Sequence, residues 1–289
     1  MKHAYLIIAH NELEVLKRLI SALDDERNDI YIHIDQKATF DGSELRVDNS
    51  KLYVLLDRLD ARWGDFSLVE VELLLMEKAI SMGNYSYLHL LSGVDYPIKS
   101  QDYIHKYCEE HWGTEFIGFA QNVDPKDLFW RAQHYFLFSR EFQNANFFKK
   151  TLRALFARLQ SICCYRRTKM EVKKGAQWCS FTSDFGIFVI SNKDELRKNF
   201  SHTYCPDELI MQTLCWNSDF RGKIYSVTDE FVGCKRYIPW KNGALLPLTK
   251  ADLLRMKESE CWFARKFTNE NLDIWEFLRK FLLLHLFTM

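Results

Sequence analysis

Two apolar segments separated by an amphipathic helix constrain the fold of this chain more than any other feature. Residues 4–9 are continuously apolar and residues 29–34 are rich in isoleucine, which is typical of strands buried in a parallel sheet. The intervening helix has an apolar stripe at helical spacing, formed by Leu13, Leu16, Leu19, Ile20 and Leu23. Asn11 is placed to cap this helix. The strand–helix–strand order predicts an α/β fold with a mostly parallel central sheet flanked by helices.

The remaining elements extend this pattern without adding a nucleotide-binding loop. Strands are predicted at 52–55, 87–91, 115–119 and 186–190, and helices at 67–82, 103–110, 149–167, 249–257 and 272–287. The chain contains neither a GxGxxG motif nor a P-loop, so neither a Rossmann dehydrogenase nor a P-loop enzyme is supported. No repeat or linker is visible, and we expect a single domain over residues 1–289, with a donor half at about 1–120 and an acceptor and catalytic half at about 121–289.

Composition excludes several classes of protein. Lys and Arg together number 39, as do Asp and Glu, and this balance argues against a nucleic-acid partner. The eight cysteines form no CxxC pair and no zinc-ligand spacing, so we expect reduced thiols. The first apolar run is too short for a signal peptide, and no stretch reaches the roughly 18 apolar residues of a membrane span. These features predict a cytoplasmic protein.

The segment that begins at Pro206 places two carboxylates where they can face a cleft. Proline suits the first position of a helix, because its missing N–H has no helical partner there. Asp207 and Glu208 then lie in the first turn, where the helix dipole favours negative charge. Acidic first turns are common, so the interpretation of this segment depends on motifs elsewhere in the chain.

Short motifs that are weak singly occur together in a defined order over residues 4–267. They are His33-Ile34-Asp35 with Lys37; Trp63-Gly64; Leu91-Ser92-Gly93 with Asp95, Pro97, Ile98 and Lys99; Gly175 with Trp178; Pro206-Asp207-Glu208 with Thr213; Arg236-Tyr237 with Trp240; and Ala264-Arg265-Lys266-Phe267. This ordered set resembles the core-2/I-branching N-acetylglucosaminyltransferase family, which also contains the peptide O-xylosyltransferases. The resemblance implies a GT-A-like α/β fold. Because the membrane anchor and stem of the animal members are not matched, we expect a bacterial-type, cytosol-facing member.

The resemblance also implies a chemistry. Family members transfer a sugar from a UDP-sugar to an acceptor hydroxyl with inversion at the anomeric carbon, and Glu208 corresponds to their general base. Lys266 corresponds to their phosphate-contacting lysine. At the strand end where other GT-A enzymes have a metal-binding Asp-x-Asp motif, this chain offers only Asp35, since His33 and Lys37 occupy the neighbouring positions. We therefore expect no metal and no other cofactor, with fixed cations stabilising the leaving diphosphate.

Further positions complete the candidate site. The expected contacts to the UDP-sugar donor are His10, Asp35, Asp65, Asp95, Arg265, Lys266 and Lys241. The expected contacts to the acceptor side are Asp207, Trp178, Arg236, Trp240 and Arg131, the last in an aromatic and basic region that is either an acceptor-side insertion or a solvated helical face. The family's second phosphate-binding cation has no match, and Lys241 or Arg236 is its candidate replacement.

Structural interpretations of some of these residues stay open. His10 follows a strand and has an ordinary structural role as its alternative, and Asp95 can cap the turn before Pro97. Arg265 can form a surface salt bridge, and Trp240 can pack in the core.

We predict an inverting, metal-independent glycosyltransferase that moves N-acetylglucosamine from a UDP-sugar to a glycan acceptor. UDP-xylose is the nearest alternative donor, and a catalytically silent glycan-binding module is the alternative of a different class. A metal-dependent transferase of another GT-A family is a third interpretation, supported only by the acidic pairs Asp24-Asp25 and Asp57 with Asp60.

The C-terminal segment allows two interpretations. Residues 272–287 are apolar with two adjacent basic residues, Arg279 and Lys280. Such a helix either packs onto the sheet or makes a peripheral contact with the inner face of a membrane, where it would bring the site to a lipid-linked glycan acceptor.

Overall fold

The computed structural model describes residues 1–163, 165, 167–241, 244–270 and 274. The strands are β1 His3–Ala9, β2 Asn28–Ile34, β3 Lys51–Val54, β4 Tyr87–Ser92, β5 Tyr96–Pro97, β6 Ser180–Thr182, β7 Arg236–Tyr237, β8 Trp240–Lys241, β9 Ala244–Leu245 and β10 Phe263–Ala264. The helices are α1 Leu13–Leu23, α2 Ser67–Met82, α3 Gln101–Glu110, α4 Pro125–Gln133, α5 Phe147–Ile162, α6 Ser183–Ser191, α7 Lys193–Phe200, α8 Ile210–Trp216, α9 Glu230–Cys234 and α10 Lys250–Glu258. Short 3₁₀ helices cover Ser139–Glu141, Pro206–Glu208 and Asp219–Lys223.

In the described part of the chain, five strands form the central sheet in the order β3-β2-β1-β4-β6. The first four pair in parallel, and β6 is antiparallel to β4. Every residue of β1, β2 and β4 is buried, which explains why these strands read as apolar runs in the sequence. The predicted α/β class with a mostly parallel sheet is confirmed, as are the strands predicted at 4–9, 29–34, 52–55 and 87–91.

Helices cover both faces of this sheet. Tyr5, Ile7 and Ala9 of β1 pack in a cluster with the apolar side of α1, whereas Ala4, Leu6 and Ile8 point to the other face and pack with α2. This alternation follows from the two-residue period of a strand. The sheet is therefore buried on both sides, and its loops after the strand ends are left to form the site.

A small second sheet positions part of the site. Its order is β5-β10-β7, with β10 antiparallel to β5 and parallel to β7. The pairing sets Ala264 opposite Tyr96 and Tyr237. It thereby brings segments separated by more than a hundred residues into one place, and the residues that follow β10 lie next to the turn between β4 and β5.

Several helix predictions are confirmed and one cap is wrong. The predicted helices at 67–82, 103–110, 149–167 and 249–257 correspond to α2, α3, α5 and α10, although α5 ends earlier, at Ile162. Asn11 does not cap α1: Glu12 occupies the N-cap position with a φ of 54°, and no side-chain hydrogen bond closes the helix end. The left-handed backbone conformation of Glu12 reverses the chain direction between the end of β1 and the start of α1.

Two predicted strands are wrong. Residues 186–190 lie in helix α6, because Thr182 caps this helix by accepting a hydrogen bond from Phe185 N and the apolar run continues the helix that starts there. Residues 115–119 form only isolated bridges, Glu115 with Ile224 and Phe116 with Ser180. Both segments are short apolar runs, for which periodicity does not separate strand from helix or bridge.

The helix predicted after Pro206 is divided. Its first turn is the 3₁₀ helix Pro206–Glu208, and α8 begins after Leu209, whose φ of −119° interrupts the helix. The helix predicted at 272–287 lies outside the described residues apart from Ile274, which is buried. Within the described residues, no helix combines the length and hydropathy that a membrane crossing requires. The single-domain boundary over 1–289 stays a prediction.

Candidate active site

Glu208 is held between two basic side chains. Its carboxylate Oε2 lies 3.4 Å from Nη1 of Arg131 and 3.3 Å from Nζ of Lys174. The Glu208 side chain keeps 35% of its surface exposed, so the carboxylate can be reached from solvent. The sequence predicted Glu208 and Arg131 as site residues, and the structure brings them together; Lys174 was missed.

Local structure fixes this arrangement. Arg131 lies in the last turn of α4, where Asp127 accepts a hydrogen bond from its Nε at 2.9 Å and its guanidinium stands 5.2 Å from the Tyr204 ring centre. On the other side, the Gly175 N–H donates to the Glu208 carbonyl at 2.9 Å, which places the preceding Lys174 beside the carboxylate. The backbone pairing around Glu208 therefore orients both cations.

Gly175 has a steric reason to be glycine. A Cβ added there would lie 1.9 Å from the carbonyl oxygen of Gly118, closer than any real contact. Gln212 joins the two backbone segments at this point, because its Nε2 donates hydrogen bonds to the carbonyls of Gly118 and Ala176. The motif glycine allows two backbone segments to cross directly behind Glu208.

A second carboxyl, Asp207, is buried next to Glu208. Asp207 is 7% exposed, and its Oδ1 has no hydrogen-bond partner among the described residues. Burial, followed by the negative charge of Glu208, raises the pKa of Asp207 to about 7. Its predicted contact with the substrate is untested, and its burial makes it a poorer candidate than Glu208 for the proton acceptor.

Two acidic residues near this pair were missed by sequence reasoning. Glu72 of α2 is 1% exposed and accepts a hydrogen bond from Gln177 Nε2 at 2.7 Å; burial, and then the neighbouring Asp207, raise its pKa well above the ordinary value. Glu230 begins α9, and burial is the main cause of its raised pKa, with Lys174 and Glu208 close enough to contribute electrostatically. Lys174 could have been found from its position next to the Gly175 motif, but Glu72 lies mid-helix without any local signal.

The donor-side residues Asp95 and Arg265 form an ion pair in which Asp95 is fully buried and the Arg265 side chain is 16% exposed. Asp95 is 0% exposed; its Oδ2 accepts from Ser92 N at 2.9 Å, and its Oδ1 lies 3.4 Å from Arg265 Nε. Neither atom of that ion pair has a hydrogen-bond partner in the described part of the chain. The Arg265 guanidinium stands 4.6 Å from the Trp178 ring centre. The structure thus groups three predicted residues, and Arg265 is not a surface salt bridge.

Burial dominates the electrostatics of this pair. It raises the pKa of Asp95 and lowers the pKa of Arg265, since each charge is removed from water. The opposing charge of the partner acts against burial in both cases.

Arg236 is placed differently from the prediction. It is 1% exposed, and its guanidinium donates to the backbone carbonyls of Cys234, Leu90 and Cys179 and to Ser180 Oγ. These bonds join β7 to the edges of β4 and β6. The predicted substrate contact, and the alternative role as second phosphate-binding cation, do not fit this buried and occupied guanidinium.

His10, Asp35 and Lys266 lie together at the ends of the first two strands. Burial and then the nearby Lys266 lower the pKa of His10, while Asp35 acts in the opposite direction. Asp35 is 2% exposed and accepts hydrogen bonds from Lys37 N at 2.8 Å and Ala61 N at 2.9 Å, with Lys37 Nζ also in contact. The carboxylate of Asp35 is therefore already bound by the protein, and Lys266 and Lys37 are both close enough to His10 to lower its pKa.

Three predicted site residues, Asp65, Trp240 and Lys241, remain to be placed. Asp65 is buried and accepts from Ser67 N at 3.0 Å, which supports the start of α2. Trp240 is 56% exposed, so the alternative of core packing does not hold for it. The side chain of Lys241 lies outside what the structure describes, as do residues 242 and 243.

In the part of the chain that the structure describes, one group of side chains has the geometry to ligate a metal: His3 of β1, His89 of β4 and Cys108 of α3, all of them buried. Hydrogen bonding accounts for both ring nitrogens of His89, since its Nε2 lies 3.0 Å from His3 Nδ1 and its Nδ1 lies 2.7 Å from Ser180 Oγ. His3 Nε2 has no partner among the described residues. We assign these residues to the core rather than to the site.

Comparisons with known proteins agree on one family. Residues 3–273 match the family model described as Branch: Core-2/I-Branching enzyme. Xylosyltransferase 2 of Mus musculus is 24% identical over 305 aligned positions that cover 95% of this chain and 33% of that protein. The beta-1,3-galactosyl-O-glycosyl-glycoprotein beta-1,6-N-acetylglucosaminyltransferase of Homo sapiens is 22% identical over 250 positions, covering 82% of this chain and 55% of that protein.

This chain spans about a third of the length of the xylosyltransferases that it matches. Among solved structures, S. aureus TarS 1-349 has a TM-score of 0.36 at 12% identity, covering 76% of this chain and 56% of that one. Structural similarity at that level supports no functional argument.

Proposed function

The chain belongs to the Core-2/I-Branching enzyme family, and on this basis we propose that it is a glycosyltransferase. The proposed reaction moves N-acetylglucosamine from a UDP-sugar to a hydroxyl of a glycan acceptor, with inversion at the anomeric carbon and without a metal ion. The family resemblance inferred from the sequence motifs is thereby confirmed, whereas the donor sugar, the stereochemistry and the acceptor belong to the proposal.

The observation on which the proposal rests is the Glu208 carboxylate between Arg131 and Lys174. An inverting transfer needs one base on the acceptor side: as the acceptor oxygen bonds to the anomeric carbon, its proton passes to the base. The electron pair of the breaking bond leaves with the UDP diphosphate. Glu208 is exposed enough to meet an acceptor and is oriented by two ion pairs, whereas its neighbour Asp207 is buried.

Fixed cations support the metal-free form of the proposal. Lys266 and Arg265 lie near the strand ends with His10, where they can stabilise charge developing on the diphosphate. Asp35, the acidic residue at the strand end, is bound by Lys37 and Ala61 and is poorly placed to hold a cation. The second cation of the family stays unassigned, since Arg236 is occupied and the Lys241 side chain is not described.

The acidic residues on which the alternative of a metal-dependent transferase depends also have protein partners. Asp24 accepts hydrogen bonds from the backbone of Asp48 and Ser50, and Asp25 forms an ion pair with Arg27. Asp60 is contacted by the side chains of Lys37, Arg62 and Arg140. These contacts disfavour a cation site at Asp24, Asp25 or Asp60.

UDP-xylose is the second candidate donor. It is favoured by one observation, the similarity to proteins named xylosyltransferase 2 along 95% of this chain. A catalytically silent glycan-binding module is less well supported, because binding a glycan does not require a carboxylate such as Glu208 to be held between two cations.

A panel of nucleotide sugars tests the proposal. Purified protein is heated with UDP, UDP-N-acetylglucosamine, UDP-xylose and a GDP-sugar as control; a ligand at 100 times its Kd adds about 2.7 kcal/mol to the stability of the fold. We expect stabilisation by UDP-N-acetylglucosamine, and release of UDP when a glycan acceptor is added. Stabilisation by the GDP-sugar alone, or by no nucleotide, would overturn the proposal, and a response only to UDP-xylose would select the second donor.

A further inference from the structure

Helix α5 exposes an apolar stripe. Along Phe147–Ile162, the exposed large apolar side chains are Phe147 (85% exposed), Phe148 (72%), Leu152, Leu155, Leu159 and Ile162 (78%). From Phe148 to Ile162 they follow at spacings of four, three, four and three residues, which sets them on one side of the helix. A surface helix of a soluble protein normally turns such a stripe toward its own core.

The side of α5 that faces the protein is a different one. Ala157 and Gln160 are its buried residues. Gln160 exchanges hydrogen bonds with Tyr135, accepting from its N–H at 2.7 Å and donating to its carbonyl at 2.9 Å. The helix is thus attached through this polar face, and the apolar stripe is not its packing surface.

The charges of α5 identify the chemistry of the partner. The helix contains Lys149, Lys150, Arg153 and Arg158 and no acidic residue, and Lys150 and Arg158 are exposed. A helix with an apolar face and only basic charge is typical of segments that lie in the interface of an anionic bilayer. We propose that α5 docks this protein onto anionic phospholipid membranes, with the apolar stripe in the interface and the exposed side chains of Lys150 and Arg158 at the headgroups.

The apolar surface continues onto α4. Pro125, Lys126, Phe129, Trp130 and His134 line a shallow depression together with Ser161 of α5. His134 Nε2 lies 2.8 Å from Ser161 Oγ, so the two helices are joined at this point. The membrane-facing region proposed here therefore comprises α5 and the exposed side of α4.

This position has a consequence for the acceptor, and that consequence rests on the proposed function. Arg131 of α4 contacts Glu208, while the residues at the end of α4 are bonded to α5. Docking through α5 would leave only α4 between Glu208 and the lipid surface. A lipid-linked glycan presents its hydroxyls close to that surface. The docking itself is independent of transfer and is tested without any sugar.

Vesicle sedimentation tests the docking with the full chain. Vesicles of phosphatidylcholine, with and without phosphatidylglycerol, are mixed with wild-type protein at low and at high salt. We expect binding that requires phosphatidylglycerol and weakens with salt. In the variant Leu155→Gln/Leu159→Gln we expect the partition coefficient to fall about tenfold or more. Burying a single leucine side chain in an apolar environment already accounts for about that factor.

A charge variant and matched controls complete the design. Lys150→Gln/Arg158→Gln lowers the partition coefficient about 25-fold, since each basic residue near an anionic surface contributes about fivefold. Leu56→Gln/Leu254→Gln removes two leucines elsewhere that are more exposed than Leu155 and Leu159, and it leaves binding unchanged. All variants are checked for unchanged thermal unfolding, since every substituted side chain is exposed.

Three results would overturn the proposal. The first is failure of vesicles to retain wild-type protein at low salt, which would show that no lipid surface is involved. The α5 variants could bind like wild type while Arg279→Glu/Lys280→Glu abolishes binding, which would assign the contact to the C-terminal segment. A change of solution mass from dimer to monomer in the leucine variant, without any change in vesicle binding, would show that a second copy of the chain covers the stripe.

Discussion

The Lys174 ammonium lies 3.3 Å from Oε2 of Glu208, the same oxygen that the Arg131 guanidinium contacts. Both cations therefore contact Oε2, and under the proposed function an acceptor hydroxyl would approach the carboxylate from its exposed side. The contact also links the Gly175 motif to the Pro206-Asp207-Glu208 motif through the hydrogen bond from Gly175 to Glu208. Two distant sequence motifs thus build the surroundings of the carboxylate that we propose as the base.

Replacing Glu208 by glutamine tests its role as the base. In Glu208→Gln, we expect turnover to fall about 10²–10⁴-fold, because the amide keeps the shape of the side chain but cannot take the acceptor proton. The Kd for UDP is expected to stay nearly unchanged, because Glu208 serves the acceptor side. Initial rates at saturating substrates and calorimetric titration with UDP provide the two measurements.

Glu171→Gln is the matched control for this variant. Glu171 also forms an ion pair with a lysine, Lys173, at 2.7 Å, but it lies on the surface. It should keep the wild-type rate. If Glu208→Gln retained more than about a tenth of the rate, the base would have to be sought at another acidic residue nearby, with Glu230 as the first candidate.

Removing the charge of Lys266 tests the diphosphate contact. Lys266→Ala should weaken UDP binding and lower kcat/KM together, because a fixed cation on the diphosphate acts in the ground state and in the transition state alike. Titration with UDP and steady-state kinetics are compared with those of Lys78→Ala, which removes an exposed lysine of α2. An unchanged Kd for UDP would remove Lys266 from the site.

Independence from metal is a separate prediction. Because Asp35 is bound by Lys37 and Ala61 and the nearby charges are cationic, we expect the transfer rate to be unchanged in excess chelator. The rate is measured before and after chelation, and again after addition of Mg²⁺ or Mn²⁺. Loss of activity on chelation with recovery on adding a divalent ion would show that a metal replaces the proposed cations.

The sequence predicted the central sheet well, for a physical reason. Strands β1, β2 and β4 are buried on both faces, and continuous burial leaves an apolar run that can be read directly. The apolar residues 186–190 were misread as a strand, because their helix is decided by the Thr182 cap and by packing rather than by period.

The site was predicted less completely than the fold. Asp95, Arg265 and Lys266 lie in motifs, and the structure places them at the turn after β4 and directly after β10. Glu208 also lies in a motif, and its contacts are with Arg131 and Lys174. Glu72 is a buried acid in the middle of α2 whose environment comes from residues far along the chain, such as Gln177. Arg236 lies in a motif as well, yet its guanidinium bonds to backbone carbonyls, an environment that only tertiary structure reveals.

Asp207 gives a prediction about stability and pH. Burial and the charge of Glu208 raise its pKa from 3.8 to about 7, so the folded protein favours the protonated form. The contribution of this group to stability is therefore fully present below about pH 4 and is lost as the pH rises toward about 7. Above that pH, the folded state must hold a buried carboxylate.

Asp207→Asn removes this titration. The free energy of unfolding of the variant relative to wild type should rise between about pH 4 and about pH 8, by up to about 4 kcal/mol for a shift of roughly three pKa units. Urea unfolding of both proteins across this range measures the difference in the free energy of unfolding. The trend of this difference with pH is decisive, and its absolute value is not, because the buried amide has costs of its own.

Asp252→Asn is the control. Burial acts to raise the pKa of Asp252, but hydrogen bonds from Thr249 and Tyr237 outweigh burial and lower it. This variant should therefore show no trend between about pH 5 and about pH 8. A flat difference for Asp207→Asn would mean that Asp207 titrates in the folded protein much as it does in the unfolded chain, and that water or a counter-charge reaches it.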